Sequence, residues 1–260
     1  MKLTIYQVDA FAEEVFQGNP AAVIPLQEWL PDEIMQKIAL ENYLSETAFF
    51  CKTNEGYKIR WFTPLAEVDL CGHATLATSH VLFQHLNYDK NEILFESRSG
   101  MLKVNKNKNL IVMNFPSSKV EAKFIPPQLK TAFNVHPVNC FAGREDLMLV
   151  FNNEDDIYQL RPDFMSIADS TSRGVICTAK SDKYDFVSRF FAPSVGINED
   201  PVTGSAHTML IPYWADQLKK TEMTAKQVSA RGGILYCKYL GDRVEIGGTA
   251  VTYMIGEISI

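Results

Sequence analysis

Arg60 to Leu82 reads RWFTPLAEVDLCGHATLATSHVL, and Arg189 to Trp214 reads RFFAPSVGINEDPVTGSAHTMLIPYW. Each opens on Arg, two aromatics, a small residue and Pro. Each passes through acidic residues, Glu67 and Asp69 in the first and Glu199 and Asp200 in the second. Each then turns at Gly into a helix-like run, Gly72-His73-Ala74 facing Gly204-Ser205-Ala206. The copies lie about 130 residues apart, half the chain, a period too long for a solenoid and suited to two related halves. Each copy reads as strand, acidic loop, Gly, helix. Glycine at a helix start lets backbone N–H groups approach a ligand, and the positive end of the helix dipole favours an anion there. Two such starts, at Gly72 and Gly204, are expected to hold a small anionic substrate.

Working outward, Lys2–Phe11 alternates as a strand and ends in the turn chemistry of Gly18-Asn19-Pro20. Ala21–Ile24 reads as a buried strand, Pro31–Glu41 as a helix, and Thr47–Cys51 and Tyr57–Phe62 as strands. A helix from Gly72 to about His85 precedes strands near Glu92–Glu96, Met101–Val104 and Leu110–Phe115. Pro116–Pro127, with its prolines and serines, reads as a linker. The expected halves are therefore 1–117, completed by the last strand of the chain, and 118–260. Beyond the linker come a short helix at Gln128–Phe133, strands near Cys140 and Leu147–Phe151, and helix within Asp155–Asp169, its later part opened by Pro162. Strands at Gly174–Thr178 and Tyr184–Phe191, a helix from Gly204 to about Leu218 and a glycine-punctuated meander from Gln227 complete it. Strands far outnumber helices, so the expected class is α+β, with a curled sheet wrapped on one central helix in each half.

Composition is that of an ordinary soluble globular protein, 46% hydrophobic and 22% charged over 260 residues, with net charge −6. Lys103, Lys106 and Lys108 read as a solvated hairpin turn, so no nucleic-acid footprint is expected. No run of about 18 apolar residues predicts a membrane span, and the N-terminus lacks the apolar centre of a signal peptide. Five scattered cysteines without a CxxC pair point to a reducing cytoplasm. GxGxxG and GxxxxGK[ST] are absent, which leaves a nucleotide reading without support.

Glu46 stands before an apolar strand, where desolvation raises a carboxyl toward general acid–base use; a solvated loop carboxylate is the plainer reading. His73 follows Gly72 at a helix start, where the positive helix end disfavours imidazolium, so a neutral ring that donates to substrate is expected, or else a capping or core-satisfied histidine. Asp200 and Ser205 offer an acceptor for an amine and a donor for a carboxylate, or simply helix caps. Cys71, His73, His80 and His207 have poor spacing for a metal, and no metal site is expected. Cys71 and His73, two apart in a turn, are not expected to form a nucleophile–base pair. Gly204-Ser205-Ala206 lacks the G-x-S-x-G elbow of a serine hydrolase.

The segments VDAFAEEVFQGNPAAV (Val8–Val23), LSETAFF (Leu44–Phe50), RWFTPLAEVDLCGHATLA (Arg60–Ala77), EDPVTGSAH (Glu199–His207) and ARGG (Ala230–Gly233) together resemble the phenazine biosynthesis PhzF-like family of the diaminopimelate epimerase superfamily. The resemblance implies two pseudo-symmetric halves, a cofactor-free site in the cleft between them, and a homodimer. It implies Glu46 as acid/base, with His73, Asp200, Ser205, Gly72, Gly204 and the neighbourhood of Asn19 binding substrate. Related epimerases use two opposed cysteines; Cys71 resembles the first, and EDPVTGSAH holds no second. The resemblance therefore implies an isomerase moving a proton between carbons of a small carboxylate or amino-acid-like molecule. A non-catalytic binding or regulatory protein and an epimerase or racemase using Cys71 are the alternatives.

Overall fold

The computed structural model of the chain describes residues 1–171 and 173–260. The described residues form two compact units, Met1–Asn114 with Gly247–Ile260, and Phe115–Ile246. The division after Asn114 stands beside the expected boundary after residue 117.

The first unit begins with β1 (Lys2–Ala10) and β2 (Asn19–Leu26), an antiparallel pair. β2 runs parallel to β3 (Glu46–Lys52), and that geometry requires a crossover, supplied by α1 (Asp32–Asn42). Asp32 and Glu33 sit at the positive end of α1. Its Met35, Ile38 and Ala39 pack with Ile24, Phe49 and Phe62 of the sheet. β4 (Tyr57–Phe62) returns antiparallel to β3, and β5 (Glu67–Val68) folds back on β4. α2 (Gly72–His85) leads to β6 (Glu92–Ser97), which lies parallel to β4 and opens the antiparallel run β7 (Gly100–Asn107) and β8 (Leu110–Pro116).

Every residue from His73 to Ser79 in α2 is buried, which marks a helix enclosed on all sides rather than one with a single apolar stripe. The hydroxyls in it are satisfied locally. Thr75 Oγ1, Thr78 Oγ1 and Ser79 Oγ donate to the carbonyls of Cys71, Ala74 and Thr75.

The second unit repeats the plan. β9 (Glu121–Lys123) and α3 (Pro127–Thr131) precede β10 (Asn139–Ala142) and β11 (Asp146–Val150), with α4 (Glu154–Tyr158) and α5 (Phe164–Ala168) as crossover. Then follow β12 (Gly174–Lys180), β13 (Phe186–Ala192), β14 (Ile197–Asp200), α6 (Gly204–Leu218), β15 (Glu222–Gln227), β16 (Gly233–Tyr239) and β17 (Arg243–Gly248). The pairings match those of the first unit in order and direction: β11–β12 and β13–β15 are parallel, while β10–β11, β12–β13, β13–β14 and β15–β16 are antiparallel. The final strand, β18 (Ala250–Ser259), pairs with β1 as β9 pairs with β10. The fold is α+β, two pseudo-symmetric halves each built of a curled, mostly antiparallel sheet with a central helix.

Register fixes which residues correspond. Phe49 lies opposite Arg60, and Cys177 opposite Arg189. Followed to the start of each strand, that alignment sets Gly174 at the place of Glu46 and Arg173 at the place of Ser45. Val68 faces Trp61 as Asp200 faces Phe190, so Glu199 matches Glu67, and Asp200 has no acidic counterpart. The stretch expected as an acidic loop is partly strand in both halves. Its glutamates are held by the arginines that open the motif. Arg60 donates to both oxygens of Glu67, each bond 2.7 Å, and Arg189 to those of Glu199 at 2.7 and 2.9 Å. Two further expectations change. Pro116–Pro127 is not bare linker but carries β9, and the later helix near residue 162 is capped by Asp163 rather than opened by Pro162.

Candidate active site

In the first unit, Glu46, Cys71, His73 and Asn19 converge at the start of α2. Asn19 opens β2 directly after Gly18, whose φ of +65° and close approach to Ala10 exclude a side chain. Glu46 is the first residue of β3, in parallel register with Ala21. The plainer reading of Glu46 as a solvated loop carboxylate fails, because its side chain is only 13% exposed.

The His73 ring is buried and lies between three partners. Its Nδ1 is 3.3 Å from Asn19 Nδ2 and 3.5 Å from Cys71 Sγ, and its Nε2 is 3.0 Å from Glu46 Oε2. The last approach lies off the hydrogen-bonding line, so His73 Nε2 and Glu46 Oε2 are buried in close charge contact without an aligned bond. Burial works against protonation of His73, but its neighbours Cys71 and, after it, Glu46 outweigh burial and push its pKa well up. Burial pushes the Cys71 thiol up to about 11, with Glu46 adding to the effect, so at neutral pH the thiol is uncharged. The direction runs against the expectation of a neutral His73: the close Cys71 and Glu46 side chains outweigh the fractional charge of a helix end. The thiol–imidazole contact is likewise closer than the two-residue spacing led us to expect.

In the second unit, Asp200 and Ser205 flank the start of α6, and neither caps it. The N-cap is Thr203, without a side-chain cap bond, just as Cys71 provides none for α2. Thr203 Oγ1 instead donates to Asp200 Oδ2 at 2.5 Å, and the Thr203 N–H donates to Gln227 Oε1 at 2.8 Å. Gln227 Nε2 donates to the Asp200 carbonyl at 2.7 Å, so Gln227 buttresses the turn. Ser205 Oγ accepts from Arg173 Nη2 at 2.6 Å, and Arg173 Nη1 donates to Asp146 Oδ2 at 2.7 Å. Gly72 and Gly204 keep negative φ, so conformational need does not explain glycine there.

The family profile of phenazine biosynthesis-like proteins matches residues 8–256. An uncharacterized isomerase of Pseudomonas aeruginosa is 48% identical over 260 residues, all of both chains. The crystal structure of a phenazine biosynthesis protein of the PhzF family from Enterococcus faecalis superposes with a TM-score of 0.97 at 48% identity, over all of both chains. The chain belongs to the phenazine biosynthesis-like family.

A hydroxyproline epimerase from Agrobacterium vitis shares the fold at a TM-score of 0.64 and 8% identity, covering 99% of this chain and 92% of that one. The enzyme class of this phenazine biosynthesis-like protein is isomerase.

Glu46, Cys71 and His73 offer ligand-type atoms within 4.8 Å of one another, nearer than their spacing in the chain led us to expect. The imidazole, however, presents one nitrogen to the thiol and the other to the carboxylate. His80 and His207 lie elsewhere. Both are pushed down to about 4 by burial, His80 beside Thr252 and His207 on the Thr203 carbonyl, and are neutral core histidines. Arg173 and Asp146 lie upstream of the repeat's Arg189 and Gln227 downstream of its helix, so all three fell outside a reading confined to the repeated stretch.

Proposed function

We propose that this isomerase moves a proton between carbons of a small carboxylate or amino-acid-like substrate, with Glu46 as the acid/base and no cofactor. The observation that supports this best is the buried Glu46 carboxylate, 3.0 Å from His73 and free of an aligned bond to it, beside an uncapped helix start. Ionised Glu46 takes a proton from a carbon made acidic by conjugation, and the C–H electron pair spreads into the conjugated carboxylate. Protonation of Glu46 leaves the His73 imidazolium without its counter-charge just as negative charge develops on the substrate. The imidazolium then stabilises that charge, and protonated Glu46 returns the proton to a second carbon. Gly72 and Gly204 mark the helix starts that receive the substrate, Asp200 accepts from a substrate amine, Ser205 donates to a carboxylate, and Asn19 supports His73. Five free buried cysteines are in keeping with a reducing compartment.

The test is NMR in deuterated water with a panel of small unsaturated and cyclic carboxylates and amino acids, wild type against Glu46→Gln. Isomer formation or loss of a carbon-bound proton signal, absent in the variant, is the expected result. Equal turnover in the variant sinks the reading, and tight binding without turnover in the wild type favours a binding protein. A second reading, epimerisation through Cys71, draws on the Sγ–Nδ1 contact of 3.5 Å. Under it Cys71→Ser abolishes activity; under the carboxylate reading most activity survives.

A further inference from the structure

The two halves differ where their helix starts meet the preceding strand. In the first, a strand-opening carboxylate, Glu46, touches the second helix residue, His73. In the second, the matching position is Gly174, and a side chain there is excluded: a Cβ would lie 2.4 Å from the Phe190 ring. The residue before it, Arg173, reaches the second helix residue instead, Ser205, at 2.6 Å. Its guanidinium lies over that same Phe190 ring, 5.5 Å from the centroid.

Three features orient this arginine. Asp146, 3% exposed, holds Nη1 at 2.7 Å. Phe190 supports the guanidinium plane, and the Arg173 carbonyl accepts from Ser194 Oγ at 2.7 Å. Nη2 spends a donor on Ser205 Oγ, which engages that oxygen as an acceptor and leaves the serine O–H to act as a donor. Nε makes no bond among the described residues, and the side chain is 31% exposed.

We propose that Arg173 is the residue that makes the α6 start select a carboxylate: it commits Ser205 to donating and adds a guanidinium donor beside the helix end. The inference rests on the reading of the substrate as a small carboxylate, and assigns its anionic group to the second half. The duplication has thus produced a proton-transfer pair at one helix start and an anion-recognition pair at the other. Guanidinium geometry suits the task, since its forked donors match a carboxylate as an ammonium does not.

Acetate is the probe, titrated at constant ionic strength while the backbone amide signals of Gly204 and Ser205 and the Arg173 Nε–H signal are followed by NMR. The wild type is expected to show saturable shifts with acetate and none with acetamide. Arg173→Gln is expected to raise the half-saturating acetate concentration at least ~10-fold, and Arg173→Lys to fall between the two. If Arg173→Gln loses signal dispersion through misfolding, Arg173→Lys decides, because a purely structural cation leaves acetate affinity unchanged in it. Absence of saturable shifts in wild type, or equal affinity in wild type and both variants, overturns the proposal. Proton exchange at Glu46 is a separate readout: acetate binding without exchange on any panel member refutes the chemistry and leaves the assignment of Arg173 standing.

Discussion

Glu46 and His73 lie in contact, and under the proposed chemistry their variants are expected to fail in different ways. Glu46→Gln keeps size and a hydrogen-bonding oxygen but removes the base, so kcat is expected to fall by ~10²–10⁴ with little change in ligand binding, measured by exchange kinetics alongside calorimetry. His73 reports on the pair through stability. Its pKa is raised in the folded state, so it binds a proton more tightly there than in the unfolded chain. The resulting stabilisation is full below about pH 6.5, the unfolded value, and is lost as pH rises through the higher folded value. Urea midpoints of wild type and His73→Gln are therefore expected to lie furthest apart near pH 6 and to approach each other toward pH 9. A gap that stays constant over this range would show that no charge contact links His73 to Glu46.

At the scale of elements, the recurring device is an arginine that ties a hairpin together. Arg189 holds Glu199 through both oxygens and also donates to the carbonyls of Ile157 and Leu160 at 3.4 and 2.9 Å, joining β13, β14 and the end of α4. Arg189→Met strands a largely buried carboxylate and is expected to cost about 3 kcal/mol; Glu199→Gln, which keeps an acceptor, is expected to cost about 1 kcal/mol. Denaturant unfolding of the two variants checks the order. This device also accounts for the glutamate that the two copies share. Glu67 and Glu199 are spent on their arginines, while Asp200 holds Thr203 Oγ1 beside the second helix start. The start of β12 is equally constrained. Gly174→Ala forces the Phe190 ring from beneath Arg173, with a cost of about 1–3 kcal/mol in the same assay.

For the whole molecule, the C-terminal strand is the decisive piece. β18 pairs with β1 along its length, from Lys2 opposite Ser259 to Ala10 opposite Ala250. Removing residues 250–260 exposes the edge of β1 and takes Ile258 from the core around Leu3 and Ile5. The truncated chain is expected to lose near-UV circular dichroism and to aggregate; a soluble product with native near-UV signal would show that the first half closes without β18.

Read alone, the sequence determined the duplication, the α+β class and both central helices, whose observed bounds begin at the expected Gly72 and Gly204. These rest on local physics: aromatic-Pro strand ends, glycine turns and buried helical runs leave marks within a few residues of where they act. The β9 strand was hidden in Pro116–Pro127, because a three-residue edge strand has no periodicity to read and exists only by pairing with β10. The contact of His73 with Glu46 was hidden as well, since the two lie 27 positions apart in the chain and 3.0 Å apart in space. Tertiary structure alone set Arg173 on Ser205 and Gly174 beneath Phe190. Those contacts depend on the register of β12 against β13, and register is a property of paired strands, not of either strand by itself.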